Sequence, residues 1–287
     1  MVYLVVITCL WAFSFSLIGV YLAGQVDSYF AVLTRVLLAA LVFLPMIRRI
    51  PIHLATKFMA LGAVQLGLMY VFYYKSFLLL SVPEVLVFTI LTPVYVTLIY
   101  DIMQGRFSYR YLVSAVMAVI GAAIIRYNAV GSEVLLGFLV VQGANLCFAL
   151  GQVGYKVVLE RNKLDLPQRA VFGYFYLGAL MVAGCSWMIF GNPEKLPVTT
   201  TQWGVLIYLG IVASGLGYFL WNKGATMVDA GVLAIMNNAL VPAGLIVNLL
   251  IWNREADLLR LSLGGGVLLL SLFFHKYWAN RNISRVF

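Results

Sequence analysis

Residues 1–26 read MVYLVVITCLWAFSFSLIGVYLAGQV, without one charged side chain. At about 1.5 Å of rise per residue, a helix of this length outreaches the roughly 30 Å hydrocarbon core of a bilayer. No Lys or Arg precedes the apolar run, and no short apolar core leads into a small-residue cleavage site. The stretch is therefore expected to be a retained first transmembrane helix rather than a secretion signal.

The same pattern repeats along the chain. Of 287 residues, 63% are hydrophobic and 10% charged, with a mean hydropathy of +0.99. Soluble domains carry about 25% charged residues. No water-soluble fold hides this much apolar side chain, so soluble enzymes and binding modules are excluded. Reading between charges and turn residues gives ten candidate spans: 2–22, 28–47, 58–80, 84–101, 109–126, 133–155, 170–190, 201–222, 230–252 and 261–279. Gly24–Asp27, Pro51, Pro83, Asn128–Ser132, Pro167 and Gly191–Pro193 punctuate them.

The net charge of +9 sits in the short connections, which is a membrane-protein bias and not a nucleic-acid footprint. With a cytoplasmic N-terminus, 13 cations fall on the cytoplasmic side and five on the outer side; Arg35 lies within the second span. Both termini are therefore expected inside. Cys9, Cys147 and Cys185 have no paired spacing and are expected to be small buried hydrophobes, neither disulfides nor metal ligands. His53 and His275 both fall at cytoplasmic ends, so no catalytic or metal constellation is expected at depth, and no cofactor.

Ten spans divide into five and five, and an odd number per half inverts the second half. The expected fold is an all-α membrane protein of ten transmembrane helices in two inverted five-helix repeats, residues 1–127 and 133–287. An internal echo accompanies the count. Tyr70, Lys75 and Pro93 in spans three and four match Tyr218, Lys223 and Pro242 in spans eight and nine. Inverted halves can exchange conformations around a site at the midplane, which is alternating access. A receptor, an anchor or a membrane enzyme has no general need for that symmetry.

Leu10-Trp-Ala-Phe-Ser-Phe, Leu91-Thr-Pro-Val-Tyr-Val, Ile120-Gly-Ala-Ala-Ile-Ile and Gly217-Tyr-Phe-Leu-Trp-Asn, in this order and spacing, resemble the EamA-type carriers of the drug/metabolite transporter superfamily. The resemblance covers nearly the whole chain. Tyr21–Leu33, Leu98–Met103 and Gly224–Gly231 through Ile235–Asn238 resemble more narrowly the bacterial biotin-type carriers of that family. This implies uptake of biotin across the inner membrane, and a cation at the position of Lys75. The chain departs from the general family pattern at Gln104–Gly105, where a Glu often follows span four. It departs again at Met236–Val241, which replaces an aromatic-acidic segment. The alternative within the superfamily is an exporter of amino acids or related metabolites. The expected partners are the small-molecule cargo and the lipid bilayer, not nucleic acid, and the carrier is expected to be a monomer.

Arg35 lies about 10 Å inside the outer end of span two. A charge at that depth costs at least about 2.5 kcal/mol, so it faces protein or a wet cavity. Its planar fork suits a substrate carboxylate; the alternative is snorkelling or tying helices through carbonyls. Lys75, nearer the outer surface, can bind the same carboxylate or snorkel. Glu84 can pair with either cation or stay solvated, and Lys223 suits an interfacial anchor. Asn237 and Asn238 in span nine, with Gln142 and Asn145 in span six, must find partners in lipid. Such amides suit a ureido group, or else glue helices. The two adjacent Asn point about 100° apart, so one of them is expected to line a cavity. Trp11, Ser14, Tyr70, Tyr74, Tyr95 and Trp221 are candidate cavity walls for an apolar bicyclic ring, with ordinary packing as the alternative. Pro93 and Pro242 are candidate hinges.

Overall fold

The computed structural model describes residues 1–105, 132–162, 166–228 and 230–252, with single positions beyond them. Among these, eight helices are long and apolar enough to cross a membrane. They are α1 (Val2–Leu22), α2 (Ser28–Met46), α3 (Ile52–Leu79), α4 (Val82–Met103), α5 (Ser132–Arg161), α6 (Gln168–Phe190), α7 (Thr200–Ala225) and α8 (Ala230–Trp252). The expected span 109–126 lies outside the described residues, and of 261–279 only single positions are described.

Two helices run beyond their expected ends. α3 starts at Ile52, directly after Pro51, and carries Lys57 within it. α5 continues to Arg161, its last turns held by an i,i+4 pair between Lys156 Nζ and Glu160 Oε1 at 2.9 Å. Charged residues mark where a helix leaves lipid, not where it stops. The starts follow capping chemistry. Asp27 Oδ1 accepts from Phe30 N at 2.8 Å. Ser81 and Glu84 form a reciprocal capping box, as do Thr199 and Gln202.

Three irregularities matter for the site. α3 widens to i→i+5 hydrogen bonding over Ala63–Leu68, and α7 does so over Tyr208–Leu216. Tyr70 and Tyr218 each follow such a segment by two residues. In α4, a single 3-10 turn at Thr89–Leu91 interrupts the helix ahead of Pro93. Pro242, by contrast, sits inside a continuous helix.

The helices pack around one aromatic and aliphatic core. α1 lies against α7 and α8, α2 against α6 and α7, α3 against α5 and α6, and α4 against α5 and α8. Large apolar side chains that are exposed, such as Leu139, Met188, Phe190 and Leu250, suit acyl chains rather than water. The cysteines partly correct the expectation: Cys147 is buried, but Cys9 and Cys185 are exposed. A thiol on the outer face of an apolar helix meets lipid, which accepts it as readily as a protein core does.

α3 and α6 meet backbone to backbone. A Cβ at Gly62 would collide with the Phe175 carbonyl, and one at Gly178 with the Met59 carbonyl. Gly178→Ala is therefore expected to destabilise the fold by about 1–3 kcal/mol, the usual cost of overpacking. Gly184→Ala, which meets open space, should leave the unfolding temperature unchanged in the same detergent.

Candidate functional site

A cavity opens between the helices, and seven of them line it. α1 contributes Trp11, Ser14, Phe15 and Ile18, and α2 contributes Arg35. Met69, Tyr70 and Tyr73 come from α3, and Thr89 and Thr92 from α4. α5 supplies Ala144, Asn145 and Phe148, α7 Tyr218, and α8 Asn237 and Leu240.

Arg35 is 2% exposed. Its Nε donates to Ser214 Oγ at 3.1 Å, Nη1 to Tyr74 Oη at 3.2 Å and Nη2 to Tyr70 Oη at 2.9 Å. The guanidinium carbon stands 4.2 Å from the centroid of the Tyr70 ring. A Tyr70 Oη–Ser214 Oγ bond of 2.8 Å closes the group. Every one of these partners is neutral, so the positive charge is solvated but not cancelled. A guanidinium carries five N–H groups; three are engaged here, and two have no partner among the described residues.

The widened segment of α7 builds this pocket wall. Its loosened turns leave carbonyl oxygens for outside donors. Trp11 Nε1 donates to Ala213 O at 2.9 Å, and Tyr176 Oη lies 2.7 Å from both Ser214 O and Gly215 O. The Trp11 ring then packs on Tyr218 at 4.8 Å, on Trp221 at 5.0 Å and on Phe148 at 5.8 Å. Tyr70 and Tyr218 meet edge to face at 5.7 Å. Opposite, Phe15 and Tyr73 pack at 5.2 Å.

The amides divide between scaffold and cavity. Asn237 lines the cavity and exchanges hydrogen bonds of 3.3 Å with Gln152, whose Oε1 also accepts from Trp221 Nε1 at 3.0 Å. Asn238 does not line it, and its buried Oδ1 has no partner among the described residues. Asn145 lines the cavity and donates to the Phe88 carbonyl at 3.0 Å, while Gln142 reaches the same oxygen at 3.2 Å.

Thus Trp11, Arg35, Tyr70, Asn145 and Asn237 come together at the cavity, with Ser14, whose buried hydroxyl has no partner among the described residues. Tyr74 and Trp221 stand directly behind, touching Arg35 and Trp11. Tyr95 bonds Gln142 Oε1 at 3.3 Å and lies outside the lining. Lys75 is not brought to the site: it is exposed, with Nζ 5.7 Å from the Tyr29 ring centroid. Lys223 packs its ammonium 5.0 Å from the Tyr3 ring. Ser214 and Gln152 are the main participants that sequence reasoning misses. An uncharged polar residue buried in a span is the signal for both, but Ser also bonds its own helix and so gives a weak one.

A buried cavity among membrane-crossing helices, polar at one wall and aromatic at the others, is the architecture of a small-solute transporter. The chain belongs to the EamA-like transporter family, which residues 135–277 match. It is 56% identical to the probable biotin transporter of Pseudomonas aeruginosa, across 97% of this chain and 96% of that one. It is 54% identical to the biotin transporter of Salmonella typhimurium and 53% identical to that of Escherichia coli strain K12, in each case across 97% of this chain and 93% of the other. A crystal structure of a protein with 16% identity superposes with a TM-score of 0.66 over 96% of each chain, which shows a common fold.

Proposed function

We propose that this protein is a secondary transporter that carries biotin into the cell across the bacterial inner membrane by alternating access. The observation that carries the reading is the buried Arg35 guanidinium, which lines the cavity and, among the described residues, bonds neutral partners alone. Biotin supplies what that site lacks: a carboxylate for Arg35, an apolar bicyclic body for the walls of Trp11, Phe15, Tyr73 and Phe148, and ureido groups for Asn145 and Asn237. With the anion bound, the guanidinium and carboxylate cancel, so the step that moves the loaded site carries little net charge. A free anion would work against about 2.3 kcal/mol per 100 mV of inside-negative potential.

The architecture proposed is ten helices in two inverted halves, 1–127 and 133–287, with both termini cytoplasmic. Three observations support it. The family match covers the second of these halves. The widened segments recur at Ala63–Leu68 and Tyr208–Leu216, each two residues ahead of a cavity tyrosine. Those two tyrosines, equivalent under the proposed repeat, meet each other at 5.7 Å. Under the proposed repeat, equivalent residues meet where a pseudo-two-fold axis passes, and a cavity on that axis is what alternating access needs.

Pro93 and Pro242 are the proposed hinges. Pro242 lies inside an unbroken helix, where it leaves one carbonyl without its usual donor. Pro242→Ala is expected to slow uptake several-fold with biotin affinity unchanged; an equal loss of both would remove it as a hinge. The test of the function is uptake of labelled biotin by proteoliposomes, paired with rescue of a biotin-requiring strain that lacks its own carrier. Time-dependent, saturable accumulation is expected, and protein-free rates would overturn the reading.

A further inference from the structure

Pro93 has a consequence one turn upstream. The Thr92 N–H bonds Thr89 O, closing the 3-10 turn. In a regular α-helix that donor would have gone to Phe88 O, four residues back. The Phe88 carbonyl, left without that α-helical donor, accepts from two side chains of α5, Asn145 Nδ2 at 3.0 Å and Gln142 Nε2 at 3.2 Å.

This contact fixes which way the Asn145 amide lies. A carbonyl oxygen accepts and never donates, so the Asn145 group beside it is the NH2. Asn145 Nδ2 also donates to Gln142 Oε1 at 3.0 Å, and that oxygen is itself held by Tyr95 Oη at 3.3 Å. Both amide hydrogens are then used within the protein. Among the described residues Asn145 Oδ1 has no partner; it is not sealed off among the buried unpartnered atoms, and it belongs to a residue that lines the cavity.

We propose that Asn145 Oδ1 is a fixed acceptor that selects cargo by an N–H donor. Given the biotin reading, on which this inference rests, the donor is a ureido N–H of the ring. The hydroxyls around the cavity rotate and serve as donor or acceptor. A carbonyl oxygen held from behind by the Phe88–Gln142–Tyr95 chain only accepts. A site of that kind rejects an analogue without the donor far more strongly than an apolar wall rejects an extra methyl group.

The test is competition against labelled biotin on the full chain in nanodiscs, using biotin methylated at either ureido nitrogen. At least one isomer is expected to compete about 10- to 100-fold more weakly than biotin, the range for a buried hydrogen-bonding group left unpaired. In Asn145→Leu, and in the smaller Asn145→Ser should the first not fold, that ratio is expected to fall to about two-fold. Both variants should still prefer biotin to its primary amide, a readout of Arg35 that a collapsed site would lose. Competition by both isomers as strong as that of biotin itself in the wild type overturns the inference alone. So does an undiminished ratio in a variant that binds biotin, because bulk would then explain the selection. Failure of the wild type to bind biotin overturns the cargo reading, and this inference with it.

Discussion

Arg35→Gln is expected to abolish carrier-mediated biotin uptake while leaving a folded protein. The guanidinium has two N–H groups to spare beyond those bound to Ser214, Tyr70 and Tyr74. Each charge-assisted hydrogen bond to a carboxylate contributes about 1.5–3 kcal/mol. Losing two of them corresponds to about a hundred-fold or more in affinity. Gln is neutral and can still bond the surrounding hydroxyls. Removing a buried charge that no carboxylate among the described residues balances should therefore leave the unfolding temperature unchanged or raise it. Arg35→Lys keeps the charge but not the fork, and should recover only part of the uptake. Lys75→Ala is the matching control: Lys75 is exposed and beside Tyr29, so uptake should stay within about two-fold, as for most surface substitutions. Initial rates in proteoliposomes, with unfolding followed on the same preparations, check all three.

Ser214→Asp is expected to have the second-largest effect, and a two-sided one. Ser214 Oγ stands 3.1 Å from Arg35 Nε and 2.8 Å from Tyr70 Oη. A carboxylate there would satisfy the guanidinium from within. The fold should gain stability, because a buried charge acquires the partner whose absence is costly, on the order of 3–5 kcal/mol for a broken buried pair. Biotin binding should fall at least about a hundred-fold, because the cavity no longer offers uncancelled positive charge and a second anion is repelled. Ser214→Ala removes one neutral bond and should cost far less, about ten-fold or under. Equal losses from Asp and Ala would mean that the charge at Arg35 is not what draws the cargo.

The sequence made some of this legible and hid the rest, for separable reasons. Positions of the spans could be read because lipid imposes a length and an apolar composition on each, and α1, α2, α6 and α8 begin and end within two residues of expectation. Arg35 could be read because a charge at depth is rare and must face something polar. Which neighbouring cation joins it could not. Tyr74 reaches Arg35, while Lys75, one residue on, is turned about 100° around the helix and is exposed. The same rotation separates Asn237, which lines the cavity, from Asn238, which does not.

Backbone effects were the least legible. Nothing in the string of letters says that α7 widens over Tyr208–Leu216 and turns its carbonyls to Trp11 and Tyr176. Pro93 announces a disturbance in α4, but not that Asn145 and Gln142 would both donate to the Phe88 carbonyl. The amides were picked out as groups needing partners. Their division into cavity and scaffold depended on tertiary packing that no local pattern encodes.

The central claim is that Arg35 holds the cargo by its carboxylate. The most direct measurement is the affinity of purified protein in nanodiscs for biotin and for biotin primary amide, which differ in that group alone. Biotin is expected to bind about a hundred-fold or more tightly than the amide in the wild type, with the difference gone in Arg35→Gln. Equal affinities in the wild type, or a preference for biotin that survives in Arg35→Gln, would contradict it.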